Sequence, residues 1–215
     1  MDSNLNETIP AFIVRNVSRS LVMAVDEALN AGAQRAYAAA KGMEEGHLPH
    51  AVGQMRHFHM NEAFHRSLEV EQADPTPLKG NSVVTGHAGV VRLARFNIKG
   101  YFWTNGRRSQ TRRQMALANK AIEPLVQPDL FGIYRPATEA VAFFVACFSE
   151  SLQEQPETPI SIQIAVPDPE MKGWLFREPL DAFLQRYEAK PSQADLAMPK
   201  LKRNIGKRDK DGTAG

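Results

Sequence analysis

The chain has 215 residues, long enough to bury a sizeable core, and its 43% hydrophobic and 23% charged residues are those of a soluble, folded protein. One cysteine, Cys147, excludes a disulfide framework or a cysteine zinc cluster within a single chain. No stretch approaches the roughly 18 apolar residues needed to span a bilayer, so no membrane role is expected. The net charge of +2 hides a segregated distribution. Residues 75–122 contain no Asp or Glu and nine Lys or Arg, and the tail 189–215 holds seven basic and three acidic residues, which leaves −11 for the remainder. A one-signed segment in an acidic body is the arrangement expected of a surface that meets a polyanion or an acidic partner.

In chain order, residues 1–10 are polar and end at Pro10, and read as a flexible arm. Their acids occupy the place of a signal peptide's basic region, so the cytosol is the expected compartment. Ala11-Phe12-Ile13-Val14 is a short apolar run, either a strand or a segment docked on the core. From Ser18 the pattern turns helical. Leu21, Val22, Val25, Leu29, Ala33, Ala36 and Ala40 recur at steps of three and four behind a Ser cap, and Gly32 beside that stripe suits close helix packing. A second helix is expected from about His50 to Val70, its apolar residues spread around more than one face, and the short loop between the two predicts an antiparallel hairpin. Asp74-Pro75-Thr76-Pro77 ends all helical character.

The acid-free stretch follows. Residues 81–85 and 89–103 are rich in β-branched and aromatic side chains and predict strands, Thr104-Asn105-Gly106 a turn, and 107–122 a helix. A loop over 127–135 and a core helix over 136–152 come next, the latter read from the nearly continuous apolar run Val141–Phe148. Cys147 lies in that run and reads as a buried structural thiol. Ile160–Val166 alternates cleanly and predicts a strand, with Trp174-Leu175-Phe176 as its hairpin partner. Pro179 opens a short helix to Tyr187. Beyond 188 the chain is polar and basic, expected to be disordered until something binds it. The expected fold is α+β: an N-terminal helical hairpin (11–74) and a mostly antiparallel sheet with packed helices (75–188), together a single domain between the flexible arm and the tail. No internal repeat suggests a solenoid.

Several constellations invite chemistry. All six histidines fall between His47 and His87, with Glu44/His47 and Glu62/His65 at the Glu-x-x-His spacing of di-iron bundles. On a helix, however, His57, His59 and His65 do not share a face, so surface or packing roles are expected. Asp168-Pro169-Glu170-Met171-Lys172 after a strand resembles the acid-x-acid-x-Lys element of PD-(D/E)xK nucleases, which would imply Mg²⁺-assisted phosphodiester cleavage. That family's separate earlier acid has no counterpart here, and a charged turn is the plainer reading. There is no Gly-x-Ser-x-Gly elbow, Walker loop or Gly-x-Gly-x-x-Gly fingerprint. Neither a catalytic residue, a metal nor a cofactor is therefore assigned, and a non-enzymatic role is expected.

The basic residues carry the main expectation. Alternation along 91–99 puts Arg95, Asn97 and Lys99 on one face and Arg92 on the other. Over about ten residues this resembles the ribbon strand of ribbon-helix-helix regulators, and the resemblance implies a polar triad reading a DNA groove. Arg107, Arg108, Arg112 and Arg113 are placed at a helix start, where positive charge opposes the helix dipole and an external anion would relieve it. Tyr101, Phe102 and Trp103 either stack on unpaired bases or belong to the core, with core expected for at least two of them. Lys202, Arg203, Lys207 and Arg208 in the tail would add sequence-independent affinity. Together these predict a nucleic-acid-binding accessory or regulatory protein, with DNA the expected ligand and a homodimer as a possible form. An acidic protein of a larger assembly and a metal-dependent nuclease activity are the alternatives.

Overall fold

The computed structural model describes residues 7–126 and 137–188. The chain enters its core earlier than the polar start suggests. Thr8 accepts a hydrogen bond from the Ala11 amide at 3.4 Å and caps α1 (Ile9–Asn16), with Pro10 in the first turn, where its missing N–H costs nothing. Ile9, Phe12 and Ile13 are buried, and Glu7 pairs with Arg15 at 2.8 Å. Residues 7–10 are thus cap and helix, not flexible arm. The Ala11–Val14 run is helical because its apolar positions suit an i, i+3, i+4 face.

α2 (Arg19–Ala40) begins at Ser18, whose side chain accepts from the Leu21 amide at 3.1 Å, and the anticipated stripe from Leu21 to Ala40 is buried. α3 (Leu48–Val70) packs against it as the hairpin partner. The apolar residues of α3 look scattered in the sequence because its buried face also holds Arg56, Asn61 and Ser67 beside Val52, Met60, Phe64 and Leu68. At the crossing, a Cβ on Gly32 would stand 2.9 Å from the Met60 Cα and 3.0 Å from the His59 carbonyl oxygen. Only glycine admits that approach.

The remaining elements build one five-stranded sheet in sequence order: β1 (Thr85–Ala88), β2 (Val91–Lys99), β3 (Ala140–Phe148), β4 (Ser161–Pro167) and β5 (Trp174–Pro179). All pairings are antiparallel except β2 with β3. The fold is α+β, as expected. The predicted helix over 136–152 is a strand, however. Every residue of β3 is at most 2% exposed, because Ala140, Ala142, Phe144, Ala146 and Phe148 face the helical layer while Val141, Phe143, Val145 and Cys147 face the opposite side. A strand buried on both faces has no polar alternation, and by periodicity it cannot be told from a buried helix.

Two cores result. One lies between the sheet and α1, α2, α3 and α5 (Leu180–Gln185); the other lies between the sheet's second face and residues 103–118, part of the crossover required by the parallel pair. That crossover is not one helix over 107–122. It runs as a 3-10 segment Trp103–Arg108, α4 (Gln110–Ala116) and a further 3-10 segment Leu117–Ala121. Among the described residues no helix is long and apolar enough to cross a membrane.

The Gly32 crossing yields a test. Its neighbours are main chain and cannot give way, so Gly32→Ala should destabilise the protein by about 1–3 kcal/mol through overpacking. Chemical denaturation would show a lower midpoint, whereas an exposed control such as Gly53→Ala, with open space around it, should not.

Candidate nucleic-acid interface

The acid-free stretch supplies β1, β2 and the crossover that covers the second face. The cover is held from within by Asn119. Fully buried, its amide donates to the Val141 and Pro167 carbonyls at 3.1 and 2.8 Å, and its oxygen accepts from the Val141 amide at 2.6 Å. The β3–β4 ladder ends at Phe143–Ala165, so Asn119 serves backbone groups where the two strands part. Buried Gly106 lies against Phe96, and the Ser109 hydroxyl accepts from the Arg112 amide at 3.3 Å to cap α4. Trp103 meets Trp174 edge-on at 5.0 Å, and Trp174 stacks on Phe96.

The predicted basic residues meet different environments. Lys99, Arg107, Arg108 and Arg113 are exposed, and none has a carboxylate within 4.0 Å among the described residues. Arg107 and Arg108 occupy the last turn of the 3-10 segment, a favourable end for positive charge, so the opposing dipole expected at a helix start does not apply to them. Arg112 is structural. Its Nε donates to the Gly106 carbonyl at 2.9 Å, its guanidinium lies 4.7 Å from the Phe96 ring centroid, and burial holds its pKa below the ordinary value. Arg92 pairs with Glu139 at 3.3 Å, and along β2 it is about 23 Å from Lys99 at the usual strand rise.

Arg95 and Asn97 correct the groove-reading expectation. They do share a face with Lys99, but α3 covers that face: Arg95 is 6% exposed and bonds Asn61 of α3 at 3.1 Å as well as Asn97. β2 lies inside the sheet and is no surface ribbon. Strand alternation assigns faces without saying which of them another element covers. Lys202, Arg203, Lys207 and Arg208 lie outside the described residues, as does the loop over 127–135.

The aromatic expectation also needs correction. Tyr101 and Phe102 are 62% and 57% exposed, and only Trp103 belongs to the packed set. Sequence reasoning missed Arg177, whose guanidinium sits 4.3 Å from the Trp103 ring centroid. Its signal was present in β5, where Arg177 alternates with Phe176 and Glu178 onto the crossover side.

The other constellations are structural. Asp168 accepts the Glu170 and Lys172 amides at 2.9 and 3.0 Å and also the Gly173 amide, while Lys172 pairs with Glu170, which closes the β4–β5 turn. His59 and His65 pair with Glu62 and Glu69 on α3, and among the described residues no three His, Cys, Asp or Glu side chains gather as a metal site. Burial pushes the Cys147 thiol up to about 11, the inert direction. No family profile matches the chain, and comparisons with the curated proteins and with the solved structures find no similar one.

Two tests follow from these contacts. Asn119→Ala leaves the Val141 amide and two carbonyls without their partner, and stability should fall by about 2–4 kcal/mol in denaturant titration. His57 is held below its ordinary pKa by burial and then by the Arg95 charge. The unfolded chain therefore binds that proton more readily, and stability present above about pH 6.5 is lost as pH falls through that value toward the lowered one. His57→Gln should flatten the loss of melting temperature between about pH 7 and pH 5.

Proposed function

We propose that this protein is a nucleic-acid-binding accessory or regulatory protein that engages an unpaired strand through the outer surface of its crossover segment. The observation that carries this reading is the exposure of Tyr101 and Phe102 in the same acid-free stretch as exposed Lys99, Arg107, Arg108 and Arg113, four cations with no carboxylate within 4.0 Å among the described residues. Stacking platforms combined with exposed cations suit single strands, whose bases present free π faces. The burial of Arg95 removes the argument for reading a duplex groove by a strand. Arg177, poised over Trp103, extends the positive surface from β5.

Fluorescence anisotropy with labelled single-stranded and duplex oligonucleotides tests the proposal. Single strands should bind at low salt, with the logarithm of affinity falling linearly against the logarithm of salt by about 0.7 per phosphate contact. Arg107→Ala with Arg108→Ala should lower both affinity and that slope. Tyr101→Ala with Phe102→Ala should cost about 1–3 kcal/mol per stacked base and leave the slope unchanged. Absence of binding to any strand at low salt sinks the reading.

The same exposed aromatics and arginines are enriched at protein interfaces, which supports a second reading: docking on an acidic protein surface. Recovery of one protein partner after nuclease treatment, lost in the Arg107→Ala and Arg108→Ala variant, would favour it.

A further inference from the structure

The helical hairpin packs on the sheet through Leu21, Val25 and Leu29 of α2 and Met60, Phe64 and Leu68 of α3. Away from that contact a groove of about 340 Å³ runs between the two helices. Ala24, Ala28 and Ala31 of α2 and Ala63 and Val70 of α3 line it, with Glu27, Arg35 and Arg66 along it. Val70 is 77% exposed, more than any other large apolar residue among those described. The alanines keep the backbone of α2 close to the surface, so a further helix can approach it closely.

The charges along the groove are not paired within the chain. Glu27, Arg35 and Arg66 are exposed and have no ion-pair partner among the described residues; Arg35 donates to the His59 carbonyl at 3.5 Å. Glu27 and Arg35 stand eight residues apart on α2, about 12 Å along its axis, too far to pair with each other. Each is four residues from Ala31. A two-fold axis crossing α2 at Ala31 converts this spacing into complementarity. It lays a second α2 antiparallel on the first, sets Glu27 against Arg35 of the second copy and Arg35 against its Glu27, and brings Ala24 opposite Ala38. In such an isologous contact every pair occurs twice, so one opposite-signed pair on a single helix supplies two across the interface.

We infer that a second copy of this chain docks on the groove, α2 against α2 with Ala31 on the two-fold axis, to form a homodimer. The helices have 22 and 23 residues, so the hairpin face is about 33 Å long; at about 10 Å per helix it offers roughly 650 Å² on each copy, about 1,300 Å² in all. That is the lower end of specific interfaces, so the dimer dissociates on dilution. The charge pairs set its register and orientation, since a parallel or shifted arrangement brings like charges together or leaves them unmatched. The crossover covers the opposite face of the sheet, so dimerisation leaves both crossover surfaces free, and the inference does not depend on what they bind.

Sedimentation velocity over a range of concentrations, on the full chain freed of nucleic acid, is the first experiment. The 23.9 kDa chain should sediment as a dimer that dissociates on dilution. Glu27→Arg and Arg35→Glu, both exposed changes, should each weaken the dimer about tenfold by setting like charges against each other, and the double swap should restore it. A merely structural effect of either change would not be rescued by the other. Ala31→Cys should cross-link to its own copy under mild oxidation, because the axis brings the two thiols together. Ala38→Cys, displaced about 10 Å along the helix from that axis, should not. Cys147 is buried and does not interfere. A monomer at every concentration overturns the inference, and shielding of the Ala31→Cys thiol from a maleimide in that monomer would assign the groove to another segment of the same chain. A dimer that neither charge variant weakens and that Ala31→Cys fails to cross-link overturns it as well.

Discussion

The architecture depends on the double burial of β3. Nine consecutive residues at no more than 2% exposure require a layer on each face of the sheet and a strand on each side. The helical hairpin supplies one layer with its close approach at Gly32, and α1 and α5 extend it. The second layer comes from the connection between β2 and β3. A parallel pair must be joined by a crossover, and here the crossover doubles as the cover.

This explains where the charge of the acid-free stretch resides. The inner side of the crossover contributes Trp103, Met115, Ala116 and Ala118 to the second core, and Asn119 fixes it to backbone groups of β3 and β4. Only its outer side remains for cations. With no acid in the same segment, the arginines there have no local partner, and the acids of β5 and the hairpin tip are already engaged: Glu178 with Arg186, Glu170 with Lys172. Those two carboxylates are therefore not free to neutralise the crossover.

How much of this could be read in the sequence depended on whether one face of an element met water. α2, with its stripe and Ser18 cap, and β4, with its clean alternation, were legible because polar residues mark their outer faces. β3 was not, since a strand covered on both sides shows only an apolar run. α1 was hidden by its shortness and by Pro10, which reads as a breaker but is tolerated in a first turn. The candidate site was half legible. Composition located the segment, but solvent access decided the roles. Arg95, on the polar triad's face, lies under α3, while Tyr101 and Phe102, plausible core residues by type, stand in solvent.

The buried end of β2 gives the composition a second meaning. Arg56, Arg95 and Arg112 all have their pKa lowered chiefly by desolvation, and no carboxylate is close enough to reverse it. Two of them have other means of support: Arg56 stacks 3.7 Å from the Phe148 ring centroid and donates to the Pro156 carbonyl at 2.6 Å, and Arg112 lies over Phe96 with main-chain acceptors. Arg95 has only two neutral amide oxygens. Asn61 holds it through a neutral oxygen at 3.1 Å and turns its amide toward His57 Nε2 at 3.4 Å, so an aspartate there would gain an ion pair with Arg95 and lose the His57 contact.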